Sequence, residues 1–189
     1  MAEIPQIYDI AKTLYDKLIN YTKKLYEFMG DEYNVPENEL ICELDHFFQA
    51  ILFRVAVSDN DLSDIELDFI KKIVEIDDMF KDDNLLRLGS LTDEQKKSYL
   101  DKCDSVLSVV PEFVKLSVLA DKKVDSLCQV ITPTHCQKIY DYLRRIANYL
   151  KFIDGNVGEI EDKTSKAVLK TVVAYYKKHY VKYAPSRKK

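Results

Sequence analysis

The chain has 189 residues, of which 47% are hydrophobic and 32% charged, a composition typical of a soluble globular protein and not of a disordered one. No apolar run approaches the roughly 18 residues that a membrane span needs, and the N-terminus lacks the features of a secretory signal, so we expect a cytoplasmic protein. The net charge is −4, and outside residues 163–189 the chain has 19 basic and 32 acidic residues, which disfavours a protein that binds nucleic acid with its whole surface.

The first predicted helix covers residues 5–29, where apolar residues repeat at alternating intervals of four and three. Gly30 is the expected residue just past its end. The narrow apolar seam resembles that of a coiled coil, so the helix packs either on its own domain or on a partner helix. A second helix, from near Pro36 to about Val57, has a broad apolar face and should lie at the centre of the fold.

A third helix is expected over residues 65–76, before a polar stretch, 77–93, that predicts a solvated loop. Thr92 and Gln95 have the spacing of a capping box and predict the start of the fourth helix. Pro111 should open the fifth, and the pattern leaves open whether it continues past residues 121–123.

Thr132 and Pro133 form a strong start signal for the sixth helix. The last helix is predicted over residues 159–181. No stretch alternates between apolar and polar residues as a strand would. The chain therefore predicts an all-α fold of about seven helices in a single compact domain, residues 1–183, followed by a frayed basic tail, 184–189.

One acidic segment occurs twice, 95 residues apart. The first acidic motif, residues 59–66, reads DNDLSDIE, and the second, residues 154–161, reads DGNVGEIE. Each follows one apolar-periodic helix and precedes another, and the apolar positions upstream match at the same offset. This predicts an internal repeat of a helix–acidic loop–helix unit.

Helix capping explains part of both motifs. Ser63 and Glu66 have the spacing of a capping box, and Glu159 and Glu161 would complement the positive end of the last helix. Capping alone leaves four polar residues without a role: Asp59, Asp61, Asp154 and Asn156.

A cation site is the second explanation of the motifs. Carboxylate and amide oxygens at alternate positions suit hard cations such as Ca²⁺ or Mg²⁺, although the spacing is not that of an EF-hand. If the two halves of the chain pack about a pseudo-two-fold axis, the motifs could converge on one shared ion. Otherwise each carboxylate caps its own helix.

The motifs resemble those of the TerB-like family, which is linked to tellurite resistance. The shared pattern is an apolar helix, then Asp-Gly-x-apolar-x-x-x-Glu, then another apolar helix. The second motif fits it fully, whereas Asn60 replaces the glycine in the first. A fainter echo starts at Asp121 and has Cys128 where the glutamate belongs. The resemblance covers roughly residues 40–174, and the extra stretch at 77–93 indicates a divergent member.

The resemblance implies an all-helical intracellular protein whose acidic loops bind a divalent metal, and which mediates protein–protein interaction in a stress-response or phage-defence system. Carried over by position, it implies the acidic pairs Asp59 with Glu66 and Asp154 with Glu161. Asp61 and Asn156 would be auxiliary oxygen ligands.

Other chemistry has weaker signals. The four cysteines are scattered and predict reduced, mostly buried thiols. Cys42 and His46 could ligate zinc from one helix, but no compact CxxC or HxxxH spacing supports this. Because no nucleophile elbow, P-loop or GxGxxG is present, we expect no enzyme. A metal-dependent hydrolase that uses the same carboxylates is the remaining enzymatic alternative.

Residues 163–189 contain nine Lys or Arg and no Asp or Glu. This basic C-terminal segment is either a solvated helix face or a surface for phosphates or anionic lipid. We expect a protein partner, no sequence-specific nucleic acid, and peripheral membrane contact at most. The alternative function is a metal-free adaptor or immunity-type inhibitor that binds its partner through the acidic body or the basic C-terminal helix.

Overall fold

A computed structural model of the chain describes residues 4–59, 62–78, 80, 92–128, 134–151, 153 and 159–179. These residues form α-helices and short 3-10 turns without a β-strand, so the predicted all-α class is confirmed. The helices are α1 (Ile4–Met29), α2 (Glu37–Ala56), α3 (Asp64–Ile73), α4 (Asp93–Ser108), α5 (Glu112–Cys128), α6 (Thr134–Lys151), α7 (Glu159–Ala167) and α8 (Lys170–His179). None of the helices in these ranges is both long and apolar enough to cross a lipid bilayer.

α1 packs its apolar seam onto its own chain, against α2, α3, α5 and α6. Phe28, which the spacing places on the seam, is instead 40% exposed, and Met29 beside it is buried. Gly30 has the left-handed backbone (φ +56°) expected of the residue past a helix end. The seam therefore serves the core of this domain.

α2 is the central helix, as its broad apolar face predicts. The residues from Phe47 to Phe53 are all buried, whichever side of the helix they occupy. A helix that is apolar all round is one surrounded by other elements, and α2 packs against α1, α3, α4, α5, α6 and α7.

α3 ends three residues earlier than its apolar pattern predicts. The pattern continues to Ile76, but Ile73 is the last helical residue and the next one is extended (φ −128°, ψ 152°). The side chain of Gln49 on α2 bonds to the backbone of Glu75 and Asp77. These bonds hold the segment extended and replace those that another helical turn would make.

The start signals of α4 and α5 are confirmed. Thr92 Oγ1 accepts from the backbone N–H of Gln95 (3.3 Å), and Gln95 Oε1 accepts from that of Thr92 (2.8 Å). α5 begins directly after Pro111 and continues to Cys128, which answers the question that the sequence left open. Thr132 and Pro133 lie outside the described residues, and α6 begins directly after them.

The last predicted helix, residues 159–181, is wrong as a single element. α7 and α8 are separated by a turn at Val168 and Leu169, and both of these side chains are buried. α7 packs against α2 and α6, whereas α8 packs against α5 and α6. The turn redirects the chain so that each half of the segment reaches a different part of the bundle; residues 180–181 lie outside the described part.

The buried hydrophobic residues form one cluster that draws on both halves of the chain. Its largest fully buried side chains include aromatic residues from four helices: Phe47, Phe48, Tyr99, Phe113 and Tyr176. The edge of Phe113 packs against Phe47, with 5.7 Å between ring centroids.

Candidate functional site

The two halves of the predicted repeat pack against each other. α2 and α3 flank the first acidic motif, α6 and α7 flank the second, and α2 contacts both α6 and α7. The 3-10 turn Val57–Asp59, which opens the first motif, also packs against α7. The first motif therefore begins beside the helix in which the second motif ends.

Three of the six predicted cation ligands lie in described elements. Asp59 ends the 3-10 turn, Glu66 lies in the first turn of α3, and Glu161 lies in the first turn of α7. The side chains of Asp59 and Glu161 are outside the described part of the structure. Also outside the described residues are Asp61, Asp154 and Asn156.

Glu66 forms the predicted capping box with Ser63. Its Oε2 accepts from the backbone N–H of Ser63 (2.9 Å) and from Ser63 Oγ (2.8 Å). Ser63 Oγ accepts in turn from the backbone N–H of Glu66 (3.2 Å). With 6% of its surface exposed, Glu66 is a buried carboxylate that starts α3. Any cation it ligates must share the carboxylate with this cap.

No group of three or more His, Cys, Asp or Glu side chains suited to a metal ion occurs in the described ranges. In the pair considered for zinc, Cys42 Sγ lies 3.9 Å from His46 Nε2. The same nitrogen is 3.0 Å from Asp77 Oδ2. The closer partner of His46 is therefore a carboxylate on the segment after α3.

A polar network around Gln49 is the main feature that sequence reasoning missed. Gln49 is fully buried. Its Nε2 donates to Glu75 O (3.1 Å) and Asp45 Oδ2 (2.9 Å), and its Oε1 accepts from the backbone N–H of Asp77 (2.9 Å). The hydroxyl of Tyr15 on α1 donates to the other oxygen of Asp45. The network thus ties α1, α2 and the segment after α3 together.

The sequence carries a signal for this network. Gln49 is a single polar residue inside the run FFQAILF, where every neighbour is apolar. A polar side chain in such a run is buried with its neighbours and must find hydrogen-bond partners inside the protein. Asp45 lies one helix turn away, but the two backbone partners lie 26 and 28 residues further along the chain, so the pattern alone cannot name those two.

A second polar cluster lies where α2 meets the start of α5. Glu43 Oε2 accepts the backbone N–H of Glu112 (2.6 Å), while the carboxylate of Glu112 pairs with Lys115 and accepts from Tyr33 (3.1 Å). Burial raises the pKa of Glu43, and the charge of Glu112 raises it further, although the backbone bond and Lys115 act against this. Each of these contacts stabilises the start of α5, so the cluster has a structural role.

Asp121, where the faint third echo of the motif begins, lies within α5 and caps the start of α6. Its two carboxylate oxygens accept the backbone N–H groups of His135 (2.8 Å) and Cys136 (3.0 Å). These are first-turn groups of α6, which have no partner within the helix. Asp121 is only 1% exposed, so a buried carboxylate of α5 fixes the start of α6.

The thiols divide into two classes. Cys103 and Cys136 are fully buried, as predicted. Burial raises the pKa of Cys103 to about 12. Burial, together with the carboxylate of Asp121, also raises the pKa of Cys136. Both thiols are therefore unreactive at neutral pH. Cys42 is exposed, so the prediction of burial is wrong for it, and the side chain of Cys128 lies outside the described part.

Comparisons of the chain with models of protein families, with curated proteins and with solved structures found no match in any of the three. The resemblance to the TerB-like family therefore rests on the acidic motifs and stays a prediction.

Proposed function

We propose that this chain is a non-enzymatic helical module that binds a divalent cation, Ca²⁺ or Mg²⁺, through its two acidic motifs and docks a protein partner. The supporting observation is the contact between the turn Val57–Asp59 and α7. It brings the start of the first motif next to the helix whose first turn contains the end of the second motif. Carboxylates that are drawn together in this way repel one another unless a cation offsets their charge.

The chemistry of the donor set fits a hard cation. Both motifs offer carboxylate or amide oxygens at alternate positions, and neither offers sulfur or imidazole. Glu66 already caps α3. We therefore assign the main ligation to the four residues that capping leaves without a role, namely Asp59, Asp61, Asp154 and Asn156. Glu66 and Glu161 would complete the site from the adjoining helix turns.

The setting of this function comes from the resemblance alone. A divergent TerB-like protein would act in the cytoplasm, in a stress-response, tellurite-resistance or phage-defence system. The cation would there order the two motifs into one surface for the partner.

Isothermal titration with Ca²⁺ and with Mg²⁺ tests the cation site. We expect wild-type protein to bind at least one of them, and Asp59→Asn plus Asp154→Asn to weaken binding at least about tenfold. Each substitution removes a charged oxygen ligand without changing side-chain size. Saturating cation should also raise the melting temperature of the wild type, because it binds only the folded state.

The matched control is Asp93→Asn plus Asp101→Asn, which removes the same charge from two exposed positions on α4. It should bind like the wild type. Absence of heat with both cations, or equal affinity of the motif variant and the wild type, contradicts the cation site.

A metal-free adaptor or immunity-type inhibitor is the second candidate. The observation that favours it is a set of exposed basic side chains on α7 and α8: Lys163, Lys166, Lys170, Lys177 and Lys178. Retention of a defined partner in the presence of chelator, and its loss with Lys177→Glu plus Lys178→Glu, would favour this candidate. Loss of the partner on addition of chelator, with no effect of the lysine substitutions, would favour the cation-binding module.

A further inference from the structure

A groove of about 350 Å³ lies between the end of α2, the end of α4 and the two last helices. Its described polar lining consists of three cationic side chains, one carboxylate and three hydroxyl groups: Arg54, Lys163, Lys170, Asp104, Ser108, Thr164 and Thr171. Among the described residues of the lining, the positive groups outnumber the negative one, whereas the whole chain carries a net charge of −4. None of the described residues that line it belongs to either acidic motif.

Arg54 is positioned by a neighbour. Its Nε donates to Asp104 Oδ1 (2.9 Å), and 25% of its side-chain surface is exposed, against 58% for Asp104. An ion pair through Nε orients the guanidinium plane and leaves the terminal nitrogens for other partners. Within the described ranges, those terminal nitrogens make no hydrogen bond or ion pair. A planar fork of this kind is suited to two oxygens of one phosphate group.

Two carbonyl groups that would repel an anion at the end of α4 are already satisfied. Thr171 Oγ1 donates to Leu107 O (2.8 Å), and Ser108 Oγ donates to Ser105 O (2.8 Å). The start of α8, at Lys170, borders the groove with the positive end of its helix dipole. Because the carboxyl-terminal ends of α4 and α7 also border the groove, the attraction for an anion comes from the basic side chains of the lining.

We propose that this groove binds a phosphate monoester. A phosphate monoester carries about −1.5 to −2 charge at neutral pH, which the basic side chains of the lining attract. Arg54 would hold two phosphate oxygens, while Lys170 would neutralise part of the remaining charge. The groove also has apolar walls at Leu107, Ala167 and Val168, so an organic group attached to the phosphate has a surface to pack on.

Two kinds of ligand contain a phosphate monoester: a soluble organic phosphate and a lipid with a phosphomonoester headgroup. Titration with phenyl phosphate, followed by NMR at constant ionic strength, tests the first. Sedimentation with phosphatidylcholine vesicles, with and without phosphatidic acid, tests the second. Constant ionic strength matters because screening would otherwise change the affinity for any anion.

The groove variant is Arg54→Gln plus Lys170→Gln, and it should bind the phosphate at least about tenfold more weakly than the wild type. Its control is Lys177→Gln plus Lys178→Gln, which removes the same charge from exposed positions on α8 outside the groove. The control should retain wild-type affinity. Should the double variant fail to fold, Lys170→Gln alone changes an exposed side chain and should still weaken binding severalfold.

Binding of phenyl phosphate alone assigns a soluble ligand, and sedimentation that requires phosphatidic acid assigns a lipid headgroup. Either result supports the proposal if the groove variant weakens that binding at least about tenfold. The proposal is overturned if none of the probes binds, or if the control loses as much affinity as the groove variant. Because the described residues of the groove lie outside both acidic motifs, we expect chelator to leave phosphate binding unchanged. The outcome is thus separate from that of the cation experiment.

Discussion

Single polar side chains decide where several helices of this protein begin and end. Glu66 and Ser63 start α3 with a local box, Gln49 ends it from another helix, and Asp121 starts α6 from α5. A buried polar group costs free energy when it has no hydrogen-bond partner. Each of these groups therefore specifies the position of its partners more strictly than an apolar neighbour does.

Gln49→Met should destabilise the protein by about 2–5 kcal/mol, because methionine fills similar space but leaves buried polar groups of the network unpaired. Chemical denaturation measures the loss. Gln137→Met is the matched control, since Gln137 is exposed and its side chain bonds to Asp141 across one helix turn. It should change stability by less than about 0.5 kcal/mol. Equal changes in the free energy of unfolding for the two substitutions would contradict a stabilising role of the Gln49 network.

Glu43 should make the protein less stable as pH rises. Burial, helped by Glu112, raises its pKa above the usual 4.5, so the native state binds this proton more tightly than the unfolded state does. The contribution is therefore fully present below about pH 4.5 and is lost as pH rises through the folded pKa. Glu43→Gln removes this titration and should gain stability relative to the wild type over that interval.

Denaturation curves of wild type and Glu43→Gln, taken between about pH 4 and 7, measure the difference in the free energy of unfolding. Glu39→Gln, at an exposed position on the same helix, should show a nearly constant difference from the wild type. The prediction is contradicted if the free energy of unfolding of the wild type increases relative to that of Glu43→Gln as pH rises.

At the scale of the helices, the sequence predicts where the middle of each helix lies. It predicts a helix end only where the capping residues are close to that end in the sequence. The intervals of three and four residues predict α1, α2 and α6 because those faces must be buried. Ser63, Thr92 and Pro111 signal their own helices from the adjacent residues. The end of α3 and the turn between α7 and α8 depend on contacts with distant helices, and there the prediction is wrong.

Asp121→Asn should loosen the start of α6. An amide offers one acceptor oxygen in place of two, so one first-turn N–H loses its partner, at a cost of about 1–3 kcal/mol. Hydrogen exchange should show faster exchange at His135 or Cys136, with the middle of α6 less affected. Asp101→Asn, on the exposed face of α4, should leave these amides unchanged. Unchanged protection in Asp121→Asn would remove the proposed role of this cap.

At the scale of the whole molecule, α2 couples the two halves of the repeat. It packs against elements from both halves, and the buried hydrophobic residues form one cluster. Neither half can expose its share of this cluster without exposing surface of the other, which is the condition for cooperative unfolding.

We therefore expect a single unfolding transition. The midpoints measured by far-ultraviolet circular dichroism and by tyrosine fluorescence should coincide, since the 13 tyrosines are spread over the chain and there is no tryptophan. Phe48→Leu, at a fully buried position, should lower the free energy of unfolding by about 1–2 kcal/mol and should shift both midpoints together. Phe28→Leu, at a position 40% exposed, should shift them much less. Two separate transitions would contradict the predicted single domain.

The amino-acid sequence by itself determined the all-α class, the centrality of α2 and the local starts of α3, α4 and α5, because each depends on residues within a few positions of one another. It also singled out the two acidic motifs, since a repeat is visible without coordinates. Only the tertiary structure decided that the first motif begins against α7, that Gln49 and Asp121 set distant helix ends, and that Arg54 and Lys170 border one groove. Those pairings join residues far apart in the chain, and the packing of helices around α2 brings them together.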